Sequence, residues 1–371
     1  MPLYLTEDQV MLRDTARQLM ADEGSIAGQL RKYRDMGCKD GFGHDLWKQL
    51  GELGFTGILI DEADGGLGLG HVEAGIVLEE IGRNLTPSPF LISAVAVVEA
   101  LKGTPHAKRW FPGILSGESV AALAVDEGPK HRPEAIAMKA ERAGNGFRLS
   151  GRKQFVVQGV SADVIVVAAR TDEGVTLFAV ERDMKGLEVE GVRLADSSIG
   201  ARLDFQGVEV NADSVIGEVG GGEAVLSRVL DAGRAGAASE MVGLGSAAMG
   251  MTVDYLRQRK QFGRLIGEFQ VLQHRAAHLY SELEIARSAA LKAQQLLDEG
   301  SPEAEAMVCV AKAKAGRAST LAVQEGVQMH GGIGMTDEYD IGLYMKRDRA
   351  LNELFGDSNY HSDKLARMKG Y

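Results

Sequence analysis

The chain has 371 residues, a formal net charge of −11 at pH 7, 45% hydrophobic and 25% charged residues. That length exceeds one ordinary core and predicts two or three packed units. The acidic balance argues against general nucleic-acid or anionic-membrane binding, so an anionic ligand needs a local basic pocket.

Two cysteines, Cys38 and Cys309, are too few for a disulfide framework and read as small buried apolar residues in a reducing, cytoplasmic compartment. The opening MPLYLTEDQVMLRD has neither the charged start nor the apolar run of a signal peptide. No apolar run approaches the roughly 20 residues of a membrane span.

Residues 1–118 read mainly as helix. Thr6, followed by Glu7, Asp8 and Gln9, is an N-cap with acids in the first turn, and Val10, Leu12, Ala16, Leu19 and Met20 supply an apolar face. Further helices are predicted over 45–53 and 71–82, the latter stopped between Gly82 and Pro87. Glycines 65, 66, 68 and 70 lie between them. Their spacing is not GxGxxG and no βαβ unit follows, so they predict a tight loop and not a dinucleotide site.

From 119 to 218 short Val-, Ile- and Phe-rich runs alternate with turn signals, which predicts a small antiparallel β-barrel or sandwich. VIVVAA is apolar on both faces and reads as a central strand. GEVGGG at 217–222 links into 219–371, where helices are predicted over 223–257, 269–299, 302–328 and 340–354. These lengths suit an antiparallel four-helix bundle. The predicted fold class is α+β, mostly α: a helical domain, a small β domain and a helical bundle.

Chemistry concentrates in 257–280, RQRKQFGRLIGEFQVLQHRAAHLY. Arg257, Arg259, Lys260 and Arg264 surround Phe262 in a break marked by Gly263 and Gly267. An amphipathic helix follows, with Leu279, Leu283, Ala286, Ala290, Ala293 and Leu297 on one face. A basic turn beside an aromatic ring suits a phosphate-bearing cofactor better than a metal or a nucleophile. His274 and His278 are four apart, but no HExxH glutamate lies between them, so no metal site is expected. His330 and His361 read equally as cofactor neighbours or structural residues.

This stretch, with QEGVQMHGGIGMTDEYDIGLYMKRDR at 324–349, resembles the two C-terminal motifs of the acyl-CoA dehydrogenases, in order and spacing. The resemblance implies FAD-dependent α,β-dehydrogenation of an acyl-CoA, in which a carboxylate takes the α proton and hydride passes to flavin N5. It implies that Arg259, Gln261 and Phe262 meet the pyrophosphate and adenosine end of a neighbouring subunit's FAD, with Gln270, Gln328, Gly332 and Ser358 in the same cofactor site. Gly331, Gly332 and Gly334 would let backbone N–H groups approach an anion. A plain surface charge is the competing reading of Arg259.

Where the family has a Trp and a Thr against the flavin ring, this chain has Phe155 and Val157, and where the family covers the ring it has Val125-Asp126-Glu127-Gly128-Pro129. Phe155 can pack on a ring, whereas Val157 donates no side-chain hydrogen bond. Both also read as β-domain core.

Asp231 and Arg234 match positions that meet the CoA pantetheine, or form an ion pair three apart on one helix face. The usual catalytic Glu position is Gly356, and the alternative one is Gly233. Asp357 is the obvious substitute base, or a turn-capping Asp. Glu240, two helical turns from Gly233, is the second candidate, or a packing residue. The Gly356 N–H would donate to the thioester oxygen. Gly233 and Gly236 would leave room for a bulky or branched acyl group.

The implied setting is fatty-acid or steroid and aromatic side-chain breakdown in a homo-oligomer, a dimer of dimers, with an electron-transfer flavoprotein as acceptor. Two glycines at the base positions keep open a second reading. In it the chain is a catalytically silent subunit that completes the site of an active relative. A flavin oxidase or monooxygenase is a third reading that no residue favours.

Overall fold

The computed structural model describes residues 3–371. The chain divides into two compact units: one holds the chain up to Arg31, His71–Thr86 and Arg234–Tyr371, and the other holds Lys32–Gly70 and Pro87–Gly233.

The first unit is helical. Helix α1 (Glu7–Asp22) opens on a capping box: Thr6 Oγ1 accepts from the Gln9 N–H while the Gln9 side chain accepts from Thr6 N–H. Helix α4 (His71–Arg83), helix α7 (Gly222–Gln258) from Arg234 onward, and helices α8 (Gln270–Asp298), α9 (Ala304–His330), α10 (Ile341–Glu353) and α11 (Ser358–Met368) complete the helices of this unit. Their core is Ala-rich, with Ala235, Ala238, Ala286, Ala290, Ala311, Ala315 and Ala322 among Met241, Leu279, Leu283 and Leu351.

Small residues let backbones touch. A Cβ on Gly82 would meet the Glu240 carbonyl oxygen at 2.0 Å, and one on Gly243 would meet the Glu79 carbonyl oxygen at 1.8 Å. Helices α4 and α7 therefore cross at a pair of glycines, each facing the other helix's backbone.

The bundle has one helix more than the sequence reading allowed. α11 follows the last predicted helix, and Asp357 caps its start.

In the second unit, helical pieces α2 (Lys32–Asp35), α3 (His44–Glu52), α5 (Val98–Leu101) and α6 (His106–Leu115) accompany an eight-stranded sheet. Its strands are β1 (Ala121–Ala124), β2 (Lys139–Ala143), β3 (Gly146–Val157), β4 (Val164–Thr171), β5 (Gly174–Glu181), β6 (Leu187–Arg193), β7 (Ile199–Asn211) and β8 (Val215–Ile216), in the order β6-β7-β3-β2-β4-β5-β8 with β1 on β4.

Most pairs are antiparallel as expected, but β1 and β2 run parallel to β4. β4, the VIVVAA run, is buried along almost its whole length. Phe147 on β3 and Phe178 on β5 are not on adjacent strands, yet their rings pack edge-on at 5.3 Å. The sheet thus curls over one core.

Candidate functional site

Two neighbourhoods of the first unit carry the residues picked out in the sequence. The first is the far end of α7. There the chain turns back through two-residue strands β9 (Lys260–Gln261) and β10 (Arg264–Leu265), paired Gln261 to Arg264. Phe262 and Gly263 make the turn with φ of 55° and 80°, the left-handed pair that a two-residue hairpin of this kind needs.

Glycine adopts this conformation freely, whereas Phe262 is strained. Its ring is 91% exposed, touched edge-on by Phe269 at 6.3 Å. Arg259, Lys260 and Gln261 are exposed too. A strained aromatic left largely in water fits a contact outside this chain.

Leu256, Ile266 and Met329 form a small core that joins the ends of α7 and α9 to the start of α8. This places the Arg259–Phe262 hairpin, Gln270 and the Gln328–Gly332 segment at one end of the bundle. His330 fixes the glycine turn. Its Nδ1–H donates to the Gly326 carbonyl at 2.7 Å, and its Nε2 lies 3.2 Å from the Tyr339 hydroxyl. Burial holds its pKa below the usual histidine value, so the neutral ring accepts from Tyr339.

Nothing lies within 4 Å of a Cβ built on Gly331 or Gly332, so a ligand can approach the backbone there, while the Gly331 N–H donates to the Gln328 carbonyl. Guanidinium, side-chain amides, an approachable glycine backbone and an exposed ring fit the phosphate and adenosine end of a dinucleotide.

The second neighbourhood is the loop between α10 and α11. Phe355 (φ 60°) and Gly356 (φ 99°) turn the chain, and both are buried. The Gly356 N–H donates to the Glu353 carbonyl at 3.3 Å, so the expected oxyanion donor is engaged inside the loop. Asp357 Oδ1 accepts from the N–H groups of Asn359 and Tyr360 at 3.0 and 2.7 Å. The Ser358 hydroxyl, expected in the cofactor site, donates to the Ala313 carbonyl on α9 at 3.1 Å.

Arg234 is 1% exposed and donates to the Phe355 carbonyl and the Tyr360 hydroxyl, both at 3.3 Å. Glu240 is 2% exposed and accepts from Nε and Nη2 of Arg347 at 2.9 and 2.6 Å. Asp348 accepts from Ser319, Thr320 and Asn352, while burial pushes its pKa up. The Arg347-Asp348 pair of the motif is thus occupied in holding α7, α9 and α10 together.

The sequence reading missed Lys312. Its Nζ is buried and donates to the carbonyls of Leu351, Gly356 and Asn352 at 3.0, 3.0 and 3.3 Å, tying α9 to the loop. A lysine four residues before Gly316 on an Ala-rich helix gives no sequence signal of this role.

Burial, and after it the Arg234 charge, push the ammonium down to about 7, against the pull of Asp348, Asp357 and Glu353. The unfolded chain keeps that proton up to the ordinary value of 10.5. The group therefore adds stability as pH rises from 7 toward 10.5, by at most about 1.4 kcal/mol per pH unit, and adds no slope below 7. Lys312→Met is expected to flatten the dependence of thermal unfolding on pH between about 7.5 and 9. An unchanged slope in the variant rejects this.

In the second unit Asp231 is buried on α7. Phe155 sits on a bulge between Lys153 and Val156, with φ 54° and 49% exposure. The segment that would cover a flavin ring is tied down by its own charges. Glu127 accepts from the N–H groups of Ala137 and Met138 and from the buried Lys153, and Asp126 pairs with His131. Among the described residues no cluster of His, Cys, Asp or Glu could hold a metal, and no helix is long and apolar enough to cross a membrane.

The descriptions "Acyl-CoA dehydrogenase" N-terminal, middle and C-terminal domain match residues 6–118, 125–207 and 220–369. The chain belongs to the acyl-CoA dehydrogenase family of flavoprotein oxidoreductases.

Mitochondrial isovaleryl-CoA dehydrogenase of Solanum tuberosum is 33% identical over 328 residues, covering 84% of this chain and 78% of that protein. A solved variant of the Tcur3481–Tcur3483 steroid ACAD superposes with a TM-score of 0.90 at 28% identity, covering 98% of each chain. The ChsE4–ChsE5 complex from Mycobacterium tuberculosis shares the fold, with a TM-score of 0.90 at 24% identity over all of both chains.

Proposed function

We propose that this chain is the subunit of a heteromeric acyl-CoA dehydrogenase that lends its Arg259–Phe262 hairpin and Gln328–Gly332 turn to the FAD of a related subunit, which supplies the base. One asymmetry carries this reading. The phosphate-facing motif is present and exposed, with Phe262 91% exposed, whereas Gly233 and Gly356 offer no carboxylate and the candidate substitutes are engaged elsewhere. Glu240 is ion-paired with Arg347, and Asp357 caps α11.

Arg259 would hold the pyrophosphate by charge and Phe262 would cover the adenosine. His330 and Tyr339 would keep the glycine turn open to the ligand. When bound, the flavin accepts the β hydrogen of the acyl-CoA as hydride. Two of the similar solved structures have names that join two components, Tcur3481–Tcur3483 and ChsE4–ChsE5, which supports a heteromer. The electron acceptor would be an electron-transfer flavoprotein.

The second reading is a self-sufficient dehydrogenase with Asp357 as base, favoured by the place of that carboxylate beside Gly356. Asn caps a helix as well as Asp, so Asp357→Asn removes the base and keeps α11. In the partner reading the variant leaves acyl-CoA-dependent bleaching of the flavin unchanged. A slowing by about 10²–10⁴-fold in the chain expressed alone would establish the second reading instead.

A further inference from the structure

An aromatic ring stands where a side chain at position 356 would be. A Cβ on Gly356 would lie 2.4 Å from Cδ1 of Tyr360 and 3.0 Å from its Cγ and Cε1. These are near atoms of a ring on the first turn of α11, so they do not swing aside like the tip of a long chain.

The ring is held from three directions. Its backbone N–H donates to Asp357 Oδ1 at 2.7 Å, which fixes the Cα from which it projects. Its hydroxyl accepts from Arg234 at 3.3 Å, and the guanidinium carbon stands 5.6 Å from the ring centroid, within cation–π range. His361, itself buried, packs perpendicular to it at 5.1 Å. Lys312 and Arg234 hold the carbonyls of Gly356 and Phe355 behind it.

We infer that Tyr360 is a built-in blocker of this chain's own thioester site: its ring fills the volume of a residue-356 side chain and covers Arg234, so acyl-CoA binds only on the partner subunit. The inference rests on the partner-subunit reading and sharpens it. Glycine at 356 and tyrosine at 360 are one device, and a carboxylate restored at 356 alone meets the ring before it meets a substrate.

Two measurements on the full chain test it. The first is thermal unfolding of Gly356→Ala, Tyr360→Ala and the double variant. Gly356→Ala is expected to lower Tm sharply. Adding Tyr360→Ala is expected to return part of that loss, so that the double variant melts above Gly356→Ala. The remainder is the strain of a Cβ at a left-handed φ. Strictly additive losses, or a double variant that unfolds as early as Gly356→Ala, overturn the blocker.

The second is calorimetric titration with butyryl-CoA. Tyr360→Ala is expected to bind at least tenfold more tightly than the unaltered chain. Equal curves, whether both bind or neither does, overturn it. The outcomes separate the two claims. Acyl-CoA bleaching of flavin in the unaltered chain alone sinks the partner reading, whereas additivity in the melting cycle sinks only the role of Tyr360.

Discussion

Co-expression with a relative that carries glutamate at the position matching Gly356 is expected to give a yellow complex. Its acyl-CoA-dependent flavin reduction should exceed that of this chain alone by about 10²–10⁴-fold, the usual contribution of a positioned base. The reason lies in the α10–α11 loop. Its turn is left-handed at Phe355 and Gly356, and its carbonyls are held by Lys312 and Arg234. Its one carboxylate beside Gly356 caps a helix. Stopped-flow traces at the flavin bands, with and without the second subunit, measure the ratio. A chain that reduces its flavin as fast alone as in company contradicts the expectation.

Gly243→Ala is expected to leave little folded protein. The added methyl would sit 1.8 Å from the Glu79 carbonyl oxygen, a backbone atom that moves only if α4 moves. Separating the helices would also break the reciprocal approach at Gly82, 2.0 Å from the Glu240 carbonyl oxygen for a Cβ there. It would further strain the Arg287 bridge, whose Nη2 donates to Glu79 on α4 and to Ser246 on α7. Overpacking of this kind against backbone belongs to the rare losses above about 4 kcal/mol, a large part of a typical total of roughly 5–15 kcal/mol.

Gly250 on the same helix is the control. Nothing lies within 4 Å of a Cβ there, so Gly250→Ala is expected to be neutral or to stabilise by about 0.5–1 kcal/mol. Denaturant unfolding of both variants measures the difference, and similar midpoints contradict it.

The long helices were legible because their signals are local. Thr6 with Gln9 predicts the start of α1, and Gly82 to Pro87 the end of α4. The β domain was legible as short alternating runs, and VIVVAA as a strand buried on both faces. The parallel pairing of β1 and β2 with β4 was not, since register between distant strands leaves no mark in either one.

In the site, the phosphate-facing motif was visible because charge, ring and glycines crowd into one turn. The loop at 355–360 was not. Gly356-Asp357-Ser358 announces no more than a capped turn, while its rigidity comes from Lys312 on another helix and from Arg234 far upstream. Tyr360 and Lys312 look like an ordinary helix aromatic and a surface lysine until tertiary contacts bury the lysine and lock the ring. Glu127 and Lys153 likewise form a pair that no spacing announces.

The central claim is that the Arg259 hairpin of this chain completes a flavin site on another subunit. The most direct test is the flavin content of the purified two-subunit complex built with Arg259→Ala. The substitution lies on an exposed hairpin, so the subunits are expected to associate at unchanged mass while most of the flavin absorbance is lost. A complex of the same mass that keeps its full flavin complement would contradict the account.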